Sequence, residues 1–196
     1  MALTQIRVAG FGGQGVIMAG MIIGRAASLY DEKEASLSQS FGPEARGSAC
    51  SAQVIVSDSK IHYPYVIRAD ILVAMSQEAF EKFVSGIDPD ATILIEEELV
   101  KVHDLPQEAA VHAIPSTRFA EEIGRRLVAN IVMVGFFSAV TGLISDGAAR
   151  RAVKDLVPKG TEDLNLMAFD RGYQYGLRSV AGTQAHHADA GGPSRG

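Results

Sequence analysis

Apolar residues in this chain fall into short dense blocks and longer stretches at helical spacing, and the two kinds alternate. IRVAG (residues 6–10) predicts a buried strand, and QGVIMAGMIIGRAASLY (14–30) a helix apolar nearly all round, so covered on several faces. Gly20 and Gly24 sit on that helix where missing side chains would admit another backbone. SLSQSFGPEARGSACSAQ (36–53) breaks the rhythm, and its Gly-Pro and Arg-Gly pairs predict a loop. AQVIVS (52–57) is strand-like, SDSK (57–60) turn-like, and IHYPYV (61–66) is expected to pair back as a hairpin. ADILVAM (69–75) predicts a strand, SQEAFEKFVSG (76–86) a helix capped by Ser76, and ATILIEE (91–97) and AAVHAIP (109–115) two more strands. Ser116 or Thr117 is then expected to cap a long helix with Glu121 and Glu122 in its first turns, where the helix dipole favours acids. Helical segments at 146–156 and 162–177 close the pattern.

This alternation predicts one α/β domain, three-layer α/β/α, with a mostly parallel sheet and a Rossmann-like first strand–helix unit. The domain is drawn over residues 1–178, and the small, polar segment 179–196 is expected to be disordered. LVANIVMVGFFSAVTGLI (127–144) holds no charge, but Asn130, Ser138, Thr141 and two glycines favour a central buried helix over a membrane span. With 18 basic and 23 acidic residues the chain carries a net charge of −5, which argues against nucleic acid as a partner. The N-terminus shows no secretory pattern, and the single cysteine, Cys50, fits a reducing, cytoplasmic setting. One thiol cannot hold an iron–sulfur cluster. Cys50 reads as a small core residue, and His62, His103 and His112 lack ligand spacing, so no metal site is expected.

Two constellations carry chemistry. Gly10, Gly12 and Gly15 satisfy G-x-G-x-x-G between a strand and a helix, with Gly13 and Gln14 between them. Bare backbone there can aim N–H groups at a phosphate, or can simply let strand and helix pack closely. A dinucleotide would need an acid at the end of a second strand; Asp31, Glu32 and Glu34 are in range but follow no convincing strand. A lysine-bearing phosphate loop is absent, since Val16 stands where its lysine would be. The second constellation is QSFGPEARGSA (39–49), in which Arg46 can bind a carboxylate or phosphate through two hydrogen bonds and Glu44 can orient it. Asn130, inside an apolar helix, must find partners and is expected to reach the glycine turn or a neighbouring subunit.

GFGGQGV followed by QSFGPEARGSACSAQV resembles the gamma subunit or gamma domain of the 2-oxoacid:ferredoxin oxidoreductases, most closely the 2-oxoglutarate type. SDSKIHYPYVIRADILVAMSQEAF, ANIVMVGFF and NLMAFDRGYQYG extend the likeness over roughly residues 5–178. Ser48 stands where the family often has glycine. The resemblance implies a non-redox subunit of an enzyme that oxidatively decarboxylates a 2-oxoacid such as 2-oxoglutarate or pyruvate, forms an acyl-coenzyme A and reduces ferredoxin. It implies no catalytic residue on this chain. Thiamine diphosphate, magnesium and iron–sulfur clusters belong on partner subunits, since a Gly-Asp-Gly thiamine motif and cluster cysteines are missing here. Coenzyme A is expected at Gly10, Gly12, Gly13, Gln14, Gly15, Gln39, Ser40, Gly42, Glu44, Arg46, Gly47 and Asn130, with the 39–47 loop facing either that ligand or the thiamine site. An indolepyruvate-type small subunit and a stand-alone nucleotide-binding module are the alternatives.

Overall fold

A computed structural model describes residues 3–40 and 49–189. Six strands, β1 (Leu3–Phe11), β2 (Glu34–Ser40), β3 (Ala49–Ser57), β4 (Ala69–Ala74), β5 (Ile87–Glu96) and β6 (Ala110–Ile114), form one sheet in the order β2-β3-β1-β4-β5-β6. β1, β4, β5 and β6 run parallel; β3 is antiparallel to both neighbours. The expected α/β class and largely parallel sheet are present, with an antiparallel pair on one side. The helices are α1 (Val16–Arg25), continued by a π-helical turn (Ala26–Tyr30), α2 (Gln77–Phe83), α3 (Ser116–Glu122), α4 (Ala129–Thr141), α5 (Asp146–Leu156) and α6 (Glu162–Asp189). α6, the longest of them, runs on to Asp189.

Alternation along each strand divides the sheet into two apolar faces. Ile6, Val8, Val54, Ile71, Val73 and Leu94 face α1 and the α4–α6 layer. Leu72, Ile93 and Ile95 face the thinner layer formed by α2 and the connections around residues 61–66 and 100–109. The charge-free segment becomes α4, whose residues from Ala129 to Ser138 are all buried. Among the described residues no helix is long and apolar enough to cross a membrane. α4 packs on α6 through glycines: a Cβ at Gly172 would overlap the Val132 carbonyl, and one at Gly135 the Phe169 carbonyl. Gly20 likewise lets α1 lie on β3, since a Cβ there would sit 2.5 Å from that of Ala52.

Five local expectations fail for identifiable reasons. Residues 34–40 form an edge strand, because β3 supplies a ladder that their weak β-propensity did not announce. The 61–66 segment forms no strand, since both edges of β3 are already taken. At its end the N–H groups instead meet side chains, Val66 N–H donating to Gln53 Oε1 (3.2 Å) and that of the following residue, Ile67, to Gln5 Oε1 (2.7 Å). The long helix expected from residue 116 is broken at Gly124, whose φ of 100° is the left-handed stop of a helix end. Glu121 and Glu122 thus lie at the end of α3, not its start. Neither Ser116 nor Thr117 caps it; the Thr117 N–H donates to the buried Glu96 carboxylate at 3.1 Å. Ser76 caps α2 as expected, accepting from Ala79 N–H at 3.3 Å.

Candidate functional site

β1 and β4 are parallel neighbours whose chains leave in opposite directions, β1 through α1 on one face and β4 through α2 on the other. In open α/β sheets such a reversal leaves a crevice beyond the carboxyl ends of the strands. The glycine turn occupies that crevice. Gly13 (φ 98°) and Gly15 (φ 73°) take left-handed conformations that swing the chain from β1 into α1. At Gly12 and Gly13 a Cβ would meet nothing within 4 Å among the described residues, so none of these covers their backbone. Their N–H groups have no acceptor among the described residues.

Gln14 is committed to holding the turn. Its Oε1 accepts from Phe11 N–H at 2.7 Å, and its Nε2 donates to the Met75 carbonyl at 2.9 Å, tying β1 to the end of β4. Gly10 is bare to make room: a Cβ there would stand 2.5 Å from that Oε1. Asn130, at 3% exposure, donates from Nδ2 to the Gly15 carbonyl at 3.2 Å. The expected reach from the apolar helix to the glycine turn is therefore made.

The second motif meets this site at both of its ends. Gln39 and Ser40 are exposed at the end of β2, opposite Ala52 and Ser51, and Ala49 opens β3 opposite Phe11. Two strand spacings, roughly 10 Å, separate Ser40 from Ala9. Glu78 of α2 accepts from the Ala49 N–H at 3.3 Å, fixing where β3 begins. Gly42, Glu44, Arg46 and Gly47 lie outside the described residues.

Beside the turn lies a depression of about 190 Å³, lined by Gly13, Gln14, Met75, Thr117, Arg126 and Leu127 among others. Its wall depends on Glu96, 1% exposed, whose carboxylate accepts from Glu98, Leu99 and Thr117 N–H groups at 2.9, 2.8 and 3.1 Å. Sequence reading missed Glu96, Thr117 and Arg126. The helix stop at Gly124 was the available signal, because it ends α3 and turns Arg126 toward the crevice. A larger depression, about 390 Å³, lies at the far end of α1 against β2, lined by Met21, Leu29, Leu37 and Leu156. Its charged residue, Arg25, is paired with Asp155 at 3.2 Å, and no set of free polar groups converges there. Open glycine backbone and a guanidinium come together at the glycine turn, which is the candidate site.

Asp31 accepts from the Ser145 N–H (2.8 Å) and hydroxyl (2.6 Å) at the far end of α1, roughly 20 Å along the helix from the turn. No dinucleotide ribose at the turn reaches it. Cys50 is buried and unpaired, and burial pushes its thiol pKa up. Among the described residues no group of three or more His, Cys, Asp or Glu could hold a metal ion.

The family model for pyruvate ferredoxin/flavodoxin oxidoreductase matches residues 5–175. The chain belongs to this family. It is 48% identical over 172 residues to the 2-oxoglutarate synthase subunit KorC of Methanocaldococcus jannaschii, covering 87% of this chain and 92% of that one. Among solved structures, the keto/oxoacid ferredoxin oxidoreductase gamma subunit of Geobacter sulfurreducens matches with a TM-score of 0.80 at 38% identity, covering 89% and 99% of the two chains. The 2-oxoglutarate:ferredoxin oxidoreductase of Magnetococcus marinus, solved with 2-oxoglutarate, coenzyme A and succinyl-CoA, has the same fold: TM-score 0.79, 24% identity, 91% of this chain but 32% of that one. The chain is thus a gamma-type subunit of a 2-oxoacid:ferredoxin oxidoreductase, as its paired motifs implied.

Proposed function

We infer that this gamma-type subunit helps bind coenzyme A in an enzyme oxidising 2-oxoglutarate or a close analogue, and that the glycine turn receives an anionic part of that ligand. The observation carrying this is the open backbone at Gly12 and Gly13, at the sheet's switch point, with N–H groups that meet no acceptor among the described residues. Gln14 and Asn130 hold the turn's shape from two sides rather than offering their amides to a ligand. Arg46 of the QSFGPEARGSA motif adds a charged contact. A depression of about 190 Å³ is smaller than the roughly 300–1,000 Å³ of a complete ligand pocket, so partner subunits complete the site.

Thiamine diphosphate with magnesium, on a partner subunit, supplies the carbanion chemistry of decarboxylation, and clusters on partners carry the electrons to ferredoxin. This chain's part is binding and enclosure in a cytoplasmic hetero-oligomer. Identity of 48% to a 2-oxoglutarate synthase subunit favours 2-oxoglutarate over pyruvate as the substrate. The test is reconstitution with the partner subunits and assay with 2-oxoglutarate, pyruvate and arylpyruvates. Expected is reduction of ferredoxin that requires coenzyme A and runs fastest with 2-oxoglutarate. A fully assembled complex that oxidises none of them in a coenzyme A-dependent way defeats the reading.

A further inference from the structure

Arg126 offers a guanidinium to the depression beside the glycine turn, and no motif in the sequence marks it. It opens a short 3-10 turn (Arg126–Val128), entered through Gly124 and the extended Arg125, and it lines the depression together with Gly13, Gln14 and Thr117. Its side chain is 70% exposed, and its one ion pair among the described residues is a long contact to Glu121, 3.7 Å from Nε to Oε1. Nearby arginines are more firmly engaged: Arg118 holds Glu98 at 3.1 Å and Arg171 holds Glu122 at 3.0 Å. The carboxylate nearest the wall, Glu96, is consumed by backbone N–H groups. The depression therefore presents open glycine backbone, the Thr117 side chain and one loosely held cation.

Resting on the reading above, the geometry points to Arg126 as the phosphate-recognising residue of this site, binding a phosphate of coenzyme A next to the Gly12–Gly13 backbone while Glu121 competes for the same guanidinium. Arginine suits this task because its planar fork makes two parallel hydrogen bonds to a phosphate. Leu127, 77% exposed on the same rim, offers an apolar surface for an uncharged part of the ligand.

The test measures equilibrium binding of coenzyme A, dephospho-coenzyme A and adenosine 3′,5′-bisphosphate to the assembled complex, without 2-oxoacid, by calorimetry. R126A should weaken coenzyme A binding about tenfold, the loss of one charge-assisted contact, with R126K intermediate. E121Q should tighten binding severalfold, an effect a purely structural role for Arg126 would not produce. R125A, on the exposed neighbour outside the depression, should bind as the wild type does. If dephospho-coenzyme A retains the R126A penalty, the contact is to the pyrophosphate; if it loses it, the contact is to the 3′-phosphate; either supports the assignment. Wild-type affinity for coenzyme A in both R126A and E121Q overturns it. A wild-type complex that binds no coenzyme A instead overturns the functional reading beneath it.

Discussion

At Gly12 and Gly15, two glycines of one turn do different physical work. Gly15 sits at φ 73° with a Cβ position that would overlap the Asn130 amide, whereas Gly12 has nothing within 4 Å and no left-handed φ. Gly15→Ala is therefore expected to lower stability by about 1–3 kcal/mol in urea unfolding, from strain and overpacking together. Gly12→Ala should stay within about 0.5 kcal/mol of the wild type, yet raise the coenzyme A KM of the assembled enzyme, because its methyl enters the space the ligand needs. Wild-type kinetics in that variant would count against the turn as a binding surface. His112 gives a pH signature. Burial lowers its pKa from 6.5, so the unfolded chain takes up the proton first as pH falls. Its contribution to stability is present above about pH 6.5 and is lost as pH falls through the depressed folded value. His112→Gln should flatten the fall in melting temperature just below pH 6.5.

Between elements, α4 and α6 meet through bare glycine backbone. A Cβ at Gly172 meets the Val132 backbone, which cannot rotate aside, so Gly172→Ala must push the two helices apart. The expected loss is about 3 kcal/mol or more, read by denaturant unfolding. Gly147, on α5 with open space around its Cβ position, is the matched control. Gly147→Ala should stabilise by about 0.5–1 kcal/mol, because alanine loses less conformational freedom in a helix. A gain in both variants would show that helix propensity, not crossing distance, governs the pair. α3 teaches a related lesson. The run RFAEEIGRR looks continuous by helical spacing, but Gly124 stops it, and that stop sets Arg126 and Leu127 beside the crevice.

For the molecule as a whole, the described residues bring open backbone and a guanidinium to one end of the sheet. Reconstitution of the enzyme without this chain is expected to abolish coenzyme A-dependent ferredoxin reduction while thiamine diphosphate remains bound to its own subunit. Full turnover in the chain's absence would remove it from the active-site wall.

The alternation of apolar blocks was sufficient for the α/β class, the parallel strands and the buried character of α4, because burial periodicity is a local property of sequence. The glycine turn was also legible, since left-handed backbone and close approach leave few choices of residue. Gln14 was visible as a motif residue, but not its bond to Met75, 61 positions away. The strand at residues 34–40, the displacement of residues 61–66 onto the sheet face, and the depression shared by Gly13, Thr117 and Arg126 were decided by tertiary structure alone. Each depends on which edge of a sheet is free, or on groups far apart in sequence meeting in space. Neither leaves a periodic trace in the chain that forms it.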